Sequence, residues 1–228
     1  MADIITFGEV MLRLSPPDFM RLEQTFSFNV CAGGGEFNVA VAAARMGLSS
    51  AFVTRLPNNA LGHMAANKAR EHGVSVADVV WSNDAADRMG LYFCEFGAKP
   101  RASSVLYDRK YSAISHIQPK TVDWDSAFEG GKVFHVSGIT PALSRSAAET
   151  TKEAMIKAKE HNLTVSVDLN YRAKLWTEQE AQECMTDLMK YTDILITTEE
   201  DTMRVFKIEG ENYEEVAKKL HAMLNHYL

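Results

Sequence analysis

The chain has 228 residues, 46% hydrophobic and 24% charged, which suits one α/β domain or two small ones and excludes a disordered polypeptide. Lys and Arg total 24 against 30 Asp and Glu, a formal charge of −6; that speaks against a nucleic-acid partner but leaves room for a local basic pocket for a small anion. No apolar run nears the roughly 18 residues that span a bilayer, the start MADIITFGEV has no basic segment of a secretory signal, and the dispersed Cys31, Cys94 and Cys184 predict a reducing cytoplasm.

Ile4–Phe7 is a short β-branched run ending at Gly8 and reads as a buried strand. Met11–Leu14 and Thr25–Val30 read as extended, with Pro16-Pro17 breaking the chain between them. Gly33-Gly34-Gly35 opens a helix over Glu36–Met46, closed by Gly47. Ala51–Thr54 reads as a strand, Ala60–His72 as a helix closed by Gly73, and Val74–Trp81 as extended. Residues 88–111 interrupt this rhythm. Gly90–Phe96 and Ser103–Tyr107 are strand-like and the turn-rich Gly97–Ala102 joins them, predicting an antiparallel hairpin.

Alternation resumes with a strand at Lys132–Val136, a helix at Ser144–His161 and a strand at Leu163–Asp168. Thr177–Tyr191 reads as a helix with Glu180 placed for a capping box. A strand at Ile194–Thr197 and helices at Glu199–Phe206 and Tyr213–Asn225 follow. Strands separated by helices predict a mostly parallel sheet covered on both faces. The sequence stops at Leu228, just after a helix, where an alternating chain is expected to place another strand.

Several signatures are missing. There is no GxxxxGK[ST]; Gly130-Gly131-Lys132 is flanked by Ser126 and Val133 where that motif needs Gly and Ser or Thr. No GxGxxG, HExxH, paired CxxC or GxSxG occurs either. Four polar clusters instead fall at predicted strand ends, where parallel α/β sheets bind ligands. In Ala32–Asn38 three glycines allow close backbone approach before a helix start, or simply form a loop. In Tyr107-Asp108-Arg109-Lys110 the tyrosine and arginine share one side of a strand, so Arg109 suits a carboxylate or phosphate; a solvated charged edge strand has the same pattern. Asp168, Asn170 and Arg172 alternate after an apolar strand and suit metal-bridged water, phosphate and a substrate anion, or an Asx-type turn. Thr197–Asp201 opens a helix with acidic residues, which suits a water-mediated magnesium site or the helix dipole alone. His135 reads as a core or rim histidine, and His63, His116 and His226 carry no spacing signal.

The segments FGEVMLRLSP, AGGGEFNVAVAAARMG, TRLPNNALG, GLYF with VLYDRKYSAIS, FHVSGITPAL and VDLNYRAKLW resemble, in family order, the ribokinase-like, pfkB-type carbohydrate kinases. The 2-keto-3-deoxygluconate kinases are the members they resemble in particular. Each segment alone is modest; together they cover nearly the whole chain. The resemblance implies a ribokinase-like α/β domain over residues 1–228 with a small β lid from about 9–31 and 88–113. It implies ATP-dependent phosphorylation of 2-keto-3-deoxygluconate at its terminal hydroxyl, with ATP and Mg2+ as cofactors and a homodimer through the lid. Carried over residue by residue, Gly34, Tyr92, Tyr107, Arg109, Ile139 and Arg172 are the substrate-pocket positions. Asp168, Asn170 and Thr198 fall on the nucleotide side, and Asp201 takes the metal position.

Two departures from the family accompany this. Its NxxE-type motif stands here as Thr198 and Asp201, a carboxylate on a shorter stem. Its GAGD motif, with the catalytic base and the anion hole, occurs nowhere in the 228 residues. The expectation is therefore an incomplete kinase domain whose C-terminal part is missing, inactive or nearly so alone. Another pfkB-type kinase such as a fructokinase, and a non-catalytic sugar-acid-binding remnant, are the competing expectations.

Overall fold

Alternation along the first strand sets the architecture. Ile5 and Phe7 are fully buried on one face and Thr6 on the other, so a sheet covered on both sides must form around them. The computed structural model describes residues 1–225; His226 lies outside the described residues. The first half runs β1 (Ile4–Phe7), β2 (Met11–Ser15), β3 (Asn29–Gly33), α1 (Gly35–Arg45), β4 (Ser50–Val53), β5 (Arg55–Pro57), α2 (Ala60–Glu71), β6 (Val80–Ser82), β7 (Gly90–Glu95) and β8 (Ser104–Asp108). The second runs α3 (Trp124–Phe128), β9 (Val133–Ser137), α4 (Ile139–Ala142), α5 (Arg145–Glu160), β10 (Thr164–Asp168), α6 (Glu178–Met189), β11 (Ile194–Ile196), α7 (Glu199–Phe206) and α8 (Tyr213–Asn225).

Five strands form a parallel sheet in the order β11-β10-β9-β1-β4. On one face Ile5, Phe7, Phe134, Val136, Val165 and Val167 pack against Trp124 and Phe128 of α3, Met155 of α5 and Met185 of α6. On the other, Phe52 packs with Phe37 and Ala40 of α1 and Ala65, Ala66 and Ala69 of α2. This second face is covered unevenly. Phe52, Thr6, His135, Ser166 and Ile194 stand in register across the strands. The row passes from a buried Phe52 to Ile194, which is 48% exposed. His135 is buried on this row, its Nδ1 3.1 Å from Ser166 Oγ, as a core or rim histidine would be.

β3, β2, β7 and β8 form a separate sheet in that order, with a parallel β2–β7 pair flanked by antiparallel neighbours. Cys31, Arg13, Tyr92 and Tyr107 line up on one face, and Val30, Leu14, Phe93 and Leu106 on the other. The extended segment expected at Thr25–Val30 forms its strand later, from Asn29 to Gly33. Of Val74–Trp81 only the end enters a strand, because Val74, Val76 and Val79 are spent on the α1–α2 core.

The loop after β9 sits directly on the end of β10. Gly138 donates its N–H to the Asp168 carbonyl at 2.8 Å. A Cβ on Gly138 would lie 2.2 Å from the Leu169 carbonyl oxygen, so glycine is required by close approach. Gly138→Ala is expected to cost about 1–3 kcal/mol by overpacking, read as a lower urea midpoint at unchanged slope.

Candidate active site

The carboxyl ends of β1, β9 and β10 and the near face of the four-stranded sheet enclose a cavity of about 1210 Å³. α1 begins beside it, after the extended Gly34. A Cβ at Gly34 would lie 2.0 Å from the Glu9 carbonyl oxygen, so only glycine lets these two loops meet. The next turn supplies Glu36, which is 1% exposed. Its Oε1 accepts the Ser137 N–H at 2.9 Å, the Ser137 hydroxyl at 2.6 Å and the Thr140 hydroxyl at 3.0 Å. Gly8 leaves room for the same carboxyl, since a Cβ there would stand 2.3 Å from it. Ile139 follows at the start of α4, its N–H on Ser137 Oγ at 3.2 Å.

A second buried carboxylate, Glu9, faces the β7–β8 strands. It pairs with Arg109 and accepts the Ser112 hydroxyl at 2.7 Å. Burial pushes the Glu9 carboxyl above its ordinary value, while the Arg109 charge and the Ser112 hydrogen bond pull it down. Arg109 is thus held rather than free, yet its buried Nε has no hydrogen-bond partner among the described residues. Its guanidinium lies 5.9 Å from the centre of the Tyr107 ring. That ring stacks on Tyr92 with centres 5.9 Å apart.

The far wall comes from the segment after β10. Asn170 adopts the left-handed conformation, with φ of 39°, and its Nδ2 donates to Asp168 Oδ2 at 3.4 Å, so the chain turns sharply at the strand end with the two side chains joined. Tyr171 then donates its N–H to Asp201 Oδ2 at 3.3 Å, tying this turn to α7. Burial lifts the Asp168 carboxyl; His135 and Arg172 oppose that, and Glu36 and Asp201 add to it. Burial lifts Asp201 too, against the Tyr171 amide and the Arg172 charge. Arg172 forms no ion pair among the described residues.

Gly34, Tyr92, Tyr107, Arg109, Ile139, Arg172 and Asp201 all line the one cavity. Asp168, Asn170 and Thr198 do not. Thr198 caps α7, accepting the Asp201 N–H at 3.1 Å, and borders a smaller cavity of about 460 Å³. Lys174 and Arg204 line the end of the large cavity next to Arg172, which suits anionic phosphates. Among the described residues no group of three His, Cys, Asp or Glu side chains could hold a metal ion. Sequence reasoning passed over the pairing of Glu9, which sits in the quoted FGE segment, and it passed over His116. Their partners are remote in the chain, so spacing carried no signal for either.

A family model described as pfkB family carbohydrate kinase matches residues 1–228. The 2-dehydro-3-deoxygalactonokinase of Haloferax volcanii is 40% identical over 210 residues, covering 92% of this chain and 65% of that protein. The 5-dehydro-2-deoxygluconokinase of Bacillus licheniformis is 28% identical over 222 residues, covering 96% and 67%. The crystal structure of 2-dehydro-3-deoxygluconokinase from Thermotoga maritima superposes with a TM-score of 0.91 at 46% identity, over 100% of this chain and 70% of that one. The chain thus spans about two thirds of the length of these relatives.

Glu36→Ala would leave the three donors on Ser137 and Thr140 buried without their acceptor. The expected loss is about 3 kcal/mol or more, by urea denaturation. Glu36→Gln, which keeps one carbonyl oxygen, is expected to lose less.

Proposed function

Since the chain belongs to the pfkB family of carbohydrate kinases, we propose that its large cavity binds a 2-keto-3-deoxy sugar acid, 2-keto-3-deoxygluconate, as the sugar side of an ATP-dependent kinase acting on the terminal hydroxyl. The observation that carries this reading is the meeting of Arg109 and Arg172 on one cavity in a chain of net charge −6. A neutral sugar offers these guanidinium groups no carboxylate; a keto acid does. The relatives' names, all of sugar-acid kinases, support the same class.

In this reading Tyr92 and Tyr107 form an aromatic wall, Gly34 and Ile139 shape the floor, and Arg109 or Arg172 takes the carboxylate. Asp168, Asn170 and Thr198 are assigned to the nucleotide side with Lys174 and Arg204 near the phosphates, and Asp201 to the side from which magnesium would be carried in on them. ATP would supply the phosphoryl group; the residues here would bind and orient the sugar acid and exclude water from it. Three free thiols fit a cytoplasmic setting, and no helix among the described residues is long and apolar enough to cross a membrane.

Phosphoryl transfer needs a base for the attacking hydroxyl. Of the carboxylates on the cavity, Glu9 pairs with Arg109, Asp108 with Arg88 and Glu200 with Arg204, Glu36 accepts three hydrogen bonds, and Asp201 accepts the Tyr171 amide. The proposal gives none of them that task, so the 228-residue chain is expected to bind without appreciable turnover.

Calorimetry with 2-keto-3-deoxygluconate, 2-keto-3-deoxygalactonate and fructose, beside a coupled ATP assay, tests this. Binding of the acids alone, weakened about tenfold or more by Arg172→Ala and by Arg109→Ala, is the expected result. Turnover is expected only when the chain is continued with the C-terminal third of the Thermotoga maritima relative. Fructose binding as tightly as the acids would overturn the acid assignment in favour of a fructokinase-like site.

The outer face of the four-stranded sheet exposes Phe28, Val30 and Leu106. The proposal includes a second copy of the chain covering this face. Sedimentation is expected to show a dimer that Leu106→Lys dissociates.

A further inference from the structure

One imidazole on the cavity wall has no task in that reading. His116 ends a 3-10 turn over Ala113–His116 and lines the cavity with Ser115 and Tyr111. Its Nδ1 lies 2.6 Å from Oδ1 of Asp87, whose side chain is completely buried. The other oxygen of Asp87 accepts Arg55 Nη2 at 2.6 Å. Arg55 also donates to Ser82 Oγ at 3.0 Å and to the backbone carbonyl of His116 itself. Ring and backbone of His116 are therefore fixed by the same buried pair.

The proton on this imidazole can be placed. Burial alone would lift the Asp87 carboxyl, but the Ser82 and His116 hydrogen bonds and the Arg55 charge outweigh it and hold the group below its ordinary value. Asp87 is a carboxylate, and a carboxylate only accepts. Nδ1 must donate. In the neutral ring Nε2 is then an acceptor, and it has no hydrogen-bond partner among the described residues. A turn that only needed anchoring would be served by the Arg55 bond to the His116 carbonyl; the Asp87 bond orients the ring as well. The wall is continuous with Arg109. Glu9 bonds both Arg109 and Ser112, and the Ser112 carbonyl accepts the Ser115 hydroxyl at 2.7 Å in the turn that carries His116.

We propose that His116, kept in its Nδ1–H form by Asp87, is a further recognition residue of this cavity, whose Nε2 accepts a hydrogen bond from a hydroxyl of the bound sugar acid, with Asp87 and Arg55 as positioning residues. This rests on the sugar-acid reading above and adds a hydroxyl contact to its carboxylate contact. It assigns discrimination among hydroxylated acids to His116 and retention of the acid to Arg109 and Arg172.

The test uses the 228-residue chain labelled with 15N-histidine. At a pH at which the ring is neutral, the His116 resonances of the free chain are expected to show the proton on Nδ1 and none on Nε2. Saturating 2-keto-3-deoxygluconate is expected to move the Nε2 resonance, and pyruvate, a keto acid without hydroxyls, is not. In calorimetry His116→Ala is expected to weaken the sugar acid about tenfold, with partial rescue by His116→Gln, whose amide oxygen also accepts. An Nε2 resonance unmoved by a sugar acid that the chain does bind, or an unchanged affinity in His116→Ala while Arg172→Ala weakens binding, overturns the inference and leaves the sugar-acid reading standing. Absence of any sugar-acid binding by the wild-type chain overturns both.

Discussion

The site depends on one buried carboxylate. Glu36 is taken out of water at the start of α1, and such a group is costly unless its lone pairs are met. It is met by donors from the end of β9 and from α4, and by the positive end of its own helix. Because Gly8 has no side chain, the end of β1 closes over it as well. Three stretches of chain distant in sequence are thereby drawn to one point. Gly34 and Ile139 reach the cavity because they flank these contacts. A hydrophobic residue at position 36 would satisfy burial but leave the Ser137 and Thr140 donors unmatched, so packing alone could not substitute for it.

Coverage of the sheet follows a gradient along its second face. At β4 and β1 that face lies under α1 and α2, and Phe52, Ser50 and Thr6 on it are all buried. Over β9 and β10 it carries His135, Ser166 and Asp168, and at β11 it ends on Ile194 and Ile196, about half exposed. The titratable residues of this face, His135 and Asp168, sit where helix cover gives way. There, burial lifts Asp168 and depresses His135 without fully excluding water.

Much of this was legible in the sequence, and the reason differs by level. Period and punctuation located the strands of both sheets to within a few residues, because β-branched runs ending at Gly, Asn or Asp report local geometry directly. Short elements escaped: β5, α3 and α4 span only three to five residues each, too few for a period to show. In the site, types and places were readable but partnerships were not. Arg109 reads as an open guanidinium and is found paired with Glu9, 100 positions away. His116 reads as an unremarkable histidine and is found held by Asp87, 29 positions away. Thr198, which the resemblance places on the nucleotide side, also caps α7. Spacing along a chain reports neighbours within an element; it does not report which buried charge closes on which.

The Glu9–Arg109 pair also bears on selectivity. An arginine free in an empty pocket would welcome any anion and would lose rotamer freedom on binding each one. Arg109 has already lost that freedom, since Glu9 and the Tyr107 ring fix its position. An incoming carboxylate must then bind a guanidinium whose charge is shared, so its net attraction is smaller, and it must fit a direction already set. Binding in such a site depends more on how the remaining groups of the ligand meet the wall than on charge alone. Small inorganic anions gain little there, whereas a ligand long enough to reach Arg172 as well gains a second contact, at the cost of ordering that exposed side chain, unpaired among the described residues. The same preorganisation explains why the pocket keeps several ion pairs inside an acidic chain: they hold the cations in place rather than supply stability of their own.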